Sequence, residues 1–342
     1  MRLRTFFLPL FVACTLAALS PAAASAQKVT IKIATLVPQG SAWHTTLQEM
    51  AQRWQELSGG RVTVRLYAGG VAGDDGDVVR KMRLGTLDGG LLSPAGLAEI
   101  DRSSNALLIP LAYTSYEELE AVSAGLTPTI AQAFSGKGFV LLSWADAGWV
   151  RFFTKSAVRT PADLKGQKLY AWNGDPATIE LWKAAGFNPV PLPATEISTA
   201  LQTGMITAVP TSPQAAVLLQ WYEKAPFMTD LPWAVLVGGM VLSDAAWKKI
   251  PEELHGPFVE SARETGRKLS QQTRESAAGF VEAMTKRGLT VVAVDAAARA
   301  DWQHAAEAAY PKLREGFLPS ALLDQALALR DAERARSKGK GK

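Results

Sequence analysis

The sequence predicts an α/β protein of two α/β domains sharing one long helix. Three observations carry this. Residues 29–92 read as a β-α-β-α-β run, a second α/β unit follows over 138–203, and Glu252 to Arg287 holds no proline after Pro257. In order, Val29 to Thr35 alternates with period two and reads as a strand. Ser41 caps a helix to Leu57 with Trp43, Leu47, Met50, Ala51 and Trp54 on one side, and Ser58-Gly59-Gly60 ends it. Arg61 to Tyr67 alternates again, with Val62, Val64 and Leu66 inward. A glycine-rich turn over 69–73 leads to a helix from Asp74 to Leu84, and Leu87 to Leu92 reads as a buried strand. Gly138 to Trp144 is a strand extending towards Thr154. Thr160-Pro161-Ala162-Asp163 opens a short helix, and Gln167 to Trp172 is the next strand. A helix over 177–185, an extended Pro189 to Pro193 and a helix over 194–203 complete the unit. The 252–287 helix would reach roughly 50 Å, more than one domain's diameter, so it should touch both. Leu289 to Val294 reads as a strand, and amphipathic helices finish the chain.

Charge and composition narrow the function. The chain has 342 residues and a net charge of +4. Residues 1–26 read as a secretory leader: Arg2 and Arg4, an apolar stretch from Phe6 to Leu19, then Ala24-Ser25-Ala26 as the cleavage site. Residues 330–342 carry six basic and two acidic side chains and are expected to be a disordered basic tail. The leader holds two of the positive charges and the tail four, which leaves 27–329 at −2. Nothing in that balance supports a nucleic-acid partner. After the leader no segment is apolar enough to span a membrane. The single cysteine, Cys14, falls inside the leader, and three scattered histidines make a metal site improbable. No nucleophile-base, metal or phosphate-loop motif is present, so neither catalysis nor a cofactor is expected. The glycine turn and the Asp74, Asp75, Asp77 trio read as a tight connection and helix-start carboxylates in preference to a phosphate cradle or cation site.

Five stretches, in register, carry a resemblance: Leu36 to His44, Leu84 to Asp88, Arg159 to Gly166, Ala185 to Pro191 and Ala200 to Gly204. From about residue 29 to 295 the chain resembles the DctP-like solute-binding proteins of tripartite ATP-independent periplasmic (TRAP) transporters. The resemblance implies a bilobal, periplasmic-binding-protein-like fold with crossing hinge strands, closing over a small-molecule ligand. It also implies a periplasmic location and delivery to a TRAP-type permease. The expected division is 27–148 with about 235–270 in one domain, and 149–234 with about 271–329 in the other.

Against that resemblance, several positions differ. The arginine that would hold a ligand carboxylate falls on Tyr170, a phenol without charge at pH 7. The family's polar amide run becomes Val209 to Ser212, with Thr211 the nearest equivalent. A bulky aromatic becomes Ala194, and an acidic residue of sialate-like members lies near Ser93. A second arginine falls on Val150, or on Arg151 if one residue is inserted; on a strand the two point to opposite faces, and both alignments stand. Candidate ligand-binding residues are therefore Trp43, Ser93, Asp146, Trp149, Arg151, Tyr170, Trp172, Ala194, Thr211 and Trp233. With the tryptophans and the lost arginine, the expectation is a large apolar pocket for a hydrophobic or amphipathic ligand; the alternatives are a carboxylate receptor using Arg151 and a lipid carrier or sensor without a permease.

Overall fold

The structure is a computed structural model and describes residues 28–340; the leader read at 1–26 lies outside them. The chain begins β1 (Val29–Thr35), α1 (Ala42–Leu57), β2 (Val62–Tyr67), α2 (Asp75–Arg83), β3 (Gly89–Leu92), α3 (Pro94–Ile100), α4 (Tyr116–Ser135) and β4 (Phe139–Trp149). It crosses at Val150 into β5 (Arg151–Thr154), α5 (Pro161–Lys165), β6 (Lys168–Trp172), α6 (Pro176–Ala184), β7 (Asn188–Leu192), α7 (Ile197–Thr203), β8 (Ala208–Thr211), α8 (Pro213–Leu218) and β9 (Phe227–Thr229). It returns through β10 (Val235–Ser243), α9 (Asp244–Trp247) and the 31-residue α10 (His255–Thr285), then ends in β11 (Thr290–Val292), α11 (Ala296–Lys312) and α12 (Ser320–Lys340).

Two sheets result, ordered β2-β1-β3-β10-β4 and β11-β9-β5-β8-β6-β7. β1 runs parallel to β2 and β3, while β10 is antiparallel to β3 and β4. Local chemistry sets the element starts. Ser41 accepts from the His44 N–H, and Thr160 with Asp163 forms a reciprocal capping box. The two segments that pass between the lobes bond to each other: the Val150 N–H donates to the Ala234 carbonyl (2.7 Å), and the Trp233 N–H to the Val150 carbonyl (3.0 Å). α10 serves both lobes. Phe258 stacks on Trp54 at 4.3 Å in the first core, whereas Met284 is buried in the second.

The far end of the chain departs from expectation. Residues 330–342 were expected to be a disordered tail, but α12 runs to Lys340. Its Arg334 donates from Nε and Nη2 to the two carboxylate oxygens of Glu118 (2.8 and 3.0 Å) and from Nη2 to the Ala112 carbonyl (3.0 Å). The division of 271–329 is also different: Leu313, Phe317, Leu318, Leu322, Leu323 and Ala326 belong to the core of the first lobe. The reason is the same in both cases. The acceptors and the apolar groove that hold this segment come from α4 and the loop before it, some two hundred residues away in sequence.

Candidate functional site

Strand register sorts the sequence candidates into two sets. Arg151 pairs with Thr211 and Phe153 with Val209 across β5 and β8, while Leu169 pairs with Ala208 across β6 and β8. Paired residues share a face and neighbours alternate. Tyr170, Thr211 and Arg151 therefore lie on one face of the second sheet, with Phe153 and Val209. Val150 packs in the opposite cluster with Phe152, Leu169 and Ala208. The structure thus places Arg151, and not Val150, beside Tyr170 and Thr211.

Arg151 opens onto a cavity of about 280 Å³ lined also by Tyr116, Trp149, Gln214, Asp230 and Thr273. Its side chain is 19% exposed. Nη1 is buried without a partner, and Nη2 lies 3.8 Å from Asp230 Oδ1, too long for a hydrogen bond. Burial pulls the guanidinium below its ordinary value, partly offset by Asp230. A second guanidinium is close by; its Nε is also buried without a partner, but it does not line the cavity and its other nitrogens are committed. Arg274 donates to Glu120 Oε1 (2.5 Å) and Asp146 Oδ2 (2.8 Å) and lies 4.0 Å over the Tyr116 ring. Asp146, a sequence candidate, is neutralised by that pair. Burial, reinforced by Asp146, pushes the Tyr116 phenol up to about 12, so it keeps its proton. An N–H donor left unpaired in a buried cation is costly, and an anionic acceptor in this cavity would satisfy it.

Other candidates join the lobes. Trp43 donates from Nε1 to Thr273 Oγ1 (3.2 Å), and the Thr273 hydroxyl donates to Gln214 Oε1 (2.6 Å). Trp172 donates from Nε1 to Asp74 Oδ2 (3.1 Å) across the cleft. Gly76 makes room for the indole: a Cβ there would sit 2.9 Å from the ring. Ser93 is the N-cap of α3, and its N–H donates to Asp75 Oδ2 (3.0 Å). Asp75 is buried, with Oδ1 unpartnered, and burial pushes its carboxyl up to about 6. Burial, with Asp75 and Asp74 nearby, also raises the Tyr170 phenol. Ala194 begins a 3-10 turn beside the second lobe's core.

Trp233 does not join this group. It sits on the opposite face, stacked on Trp182 at 5.8 Å and against Phe152 at 5.4 Å, because the return strand presents it to the core packed under α11. Trp144, on β4, donates from Nε1 to Thr127 Oγ1 in the first lobe. Sequence reasoning missed Tyr116, Gln214, Asp230, Thr273 and Arg274. Only Gln214 carried a signal, three residues beyond Thr211 in the resembling segment. Among the described residues no group of three or more His, Cys, Asp or Glu could hold a metal ion, and no helix is long and apolar enough to cross a membrane.

The family model for bacterial extracellular solute-binding protein, family 7 (DctP) matches residues 33–316, and the chain belongs to that family. A solute-binding protein of Roseobacter denitrificans is 26% identical over 87% of this chain and 92% of its own length. The 2,3-diketo-L-gulonate-binding periplasmic protein of Escherichia coli is 26% identical over 85% of this chain and 88% of its own. Among solved structures, a TRAP periplasmic solute-binding protein from Haemophilus influenzae with bound L-gulonate superimposes with a TM-score of 0.82 at 20% identity, covering 89% of this chain and 100% of that one. Its fold is the two-lobed one described above. The ligands those two proteins bind are polar carboxylates. They give no support to the expectation of a hydrophobic ligand, which rested on the loss of one arginine at Tyr170 while the position of Arg151 stayed open.

Proposed function

We propose that this family-7 solute-binding protein is a periplasmic receptor that captures a small organic acid between its lobes, with the ligand carboxylate on Arg151, and delivers it to a TRAP-type permease. One observation carries the carboxylate reading: a buried guanidinium N–H without a partner, facing a cavity on the same sheet face as Tyr170 and Thr211. Tyr116, Gln214 and Thr273 surround that cavity with neutral polar groups suited to the ligand's remaining oxygens. The carboxylate specificity of the Escherichia coli relative supports the same reading. Closure over the ligand would be driven by its extra contacts in the closed state, which is the state a permease distinguishes.

Titration calorimetry with a panel of hydroxy and keto acids tests this. At least one acid should bind the wild type, and Arg151→Gln should weaken it by at least ~30-fold, the lower end for removing one partner of a buried charge pair. Equal affinity in the variant, or no binding by any acid, would remove Arg151 from the role.

A further inference from the structure

A second cavity, of about 170 Å³, lies largely on the other face of the second sheet, where Val150 and Pro210 line it, although Tyr170 and Trp172 border it too; it shares no lining residue with the Arg151 cavity. Its walls come from both lobes. Phe317 belongs to the core of the first lobe and Leu236 to its strand β10, Trp182 and Phe187 belong to the second, and Leu108 packs against both cores. Trp233, on the return crossing, stacks on Trp182 at 5.8 Å, and Phe187 meets Trp182 edge-on at 5.3 Å, so one wall is a fixed aromatic surface. The cavity offers little to water. Its polar side chains are few: Thr178 already donates to Asp175 Oδ2 (2.5 Å) and the Trp172 indole to Asp74 Oδ2 (3.1 Å), and the Tyr170 phenol borders it as well. None of the lining residues carries a buried side-chain nitrogen or oxygen in want of a partner. A buried water needs two to four polar partners, and apolar cavities near 150 Å³ stay dry and admit a benzene-sized guest.

We infer that this cavity is a second binding site, for a single-ring apolar molecule, and that its occupant favours the closed arrangement of the lobes. The site is separate from the Arg151 cavity and does not depend on the organic-acid reading. Because both lobes and the Val150 and Trp233 crossings build the walls, hinge motion away from the present arrangement, in which Trp172 is bonded to Asp74 across the cleft, must change their separation and spoil the fit. A guest that fits the closed walls stabilises that state by its differential affinity.

Toluene is the probe, titrated into the purified protein without any organic acid. Tryptophan fluorescence should change saturably, and the melting midpoint should rise by roughly 2–4 °C at tenfold excess over the dissociation constant. Ala309→Phe, which puts a ring into the space, should weaken toluene at least tenfold; Ala185→Leu fills it from the C-cap of α6 and serves if the first variant does not fold. Xenon-pressurised crystals should show density between Trp182 and Leu108. A wild type without saturable response, an equal response in both filled variants, or xenon bound only elsewhere overturns the site. A rise in the radius of gyration on adding toluene overturns the preference for the closed state.

Discussion

At the scale of single residues, two of the buried ionisable groups left incompletely bonded have testable consequences. Arg151 has a spare donor and Asp75 a spare acceptor. Asp75 gives a pH signature whose sign follows from its environment. Its carboxyl is raised by burial to about 6, from an ordinary 3.8, so the folded protein holds a proton that the unfolded chain has released. The stability tied to this residue is full below pH 4, falls as pH rises from about 4 to about 6, and stays low above that. Asp75→Asn keeps an acceptor for the Ser93 N–H and removes the ionisation. We expect it to stabilise the protein by about 2 kcal/mol at pH 7.5 and by nothing at pH 3.5, read as denaturant midpoints at the two pH values. A gain that does not change with pH would show that the carboxylate is not what costs stability. Arg151 was visible in the sequence as one of two alignments. The choice needed its Cα partner, Thr211, which is sixty residues away.

At the scale of elements, local signals served well where an element is defined by its own residues. The Ser41 cap, the Thr160 capping box and the alternation of 29–35 each describe a structure made by near neighbours. They failed for α12. A run of basic residues reads as a solvated end, but Glu118 is 9% exposed at its side chain and needs a cation. Burial pushes the Glu118 carboxyl up, yet the Arg334 pair and the Thr114 hydrogen bonds prevail and hold it below its usual value. Leu329 supports the docking by filling the space left by Gly125, where a Cβ would come within 2.6 Å of its methyl. Arg334→Ala should therefore destabilise the protein by about 1–3 kcal/mol, discounted from the buried-pair range because Arg334 is one-third exposed. Deleting 330–342 should cost at least as much. Both are checked by urea unfolding, and an unchanged midpoint in the truncated protein would restore the reading of this segment as a passive end.

At the scale of the whole molecule, the lobes are held by a few specific contacts. The hydrogen bond from Trp172 to Asp74 joins β6 to the N-terminus of α2, and Trp43 reaches Thr273 on α10. Trp172→Phe keeps the ring and deletes the donor. The ligand-free variant should show a larger radius of gyration than wild type in solution scattering, and it should bind more weakly any acid that the wild type takes up, because the competent closed form is less populated. Identical scattering curves would make this bond incidental to closure. α10 bears on the same question. At 31 residues it spans about 46 Å, enough to carry Phe258 into one core and Met284 into the other.

The sequence by itself determined the two α/β units, the shared long helix and the family, because hydrophobic period, capping residues and motif order are properties of short stretches. It also marked Tyr170, and Arg151 as one of two alignments, as candidate ligand positions. The tertiary structure alone decided that Arg151 shares a sheet face with Tyr170 while Trp233 lies on the other, that Arg274 bonds Glu120 and Asp146, that a second, apolar cavity forms at the hinge, and that the basic end docks on α4. Each of these depends on which strand lies beside which, or on a charge finding its partner hundreds of residues away. A side chain's own sequence neighbourhood does not contain that information, since the face it shows and the partner it meets are set by the packing of distant segments.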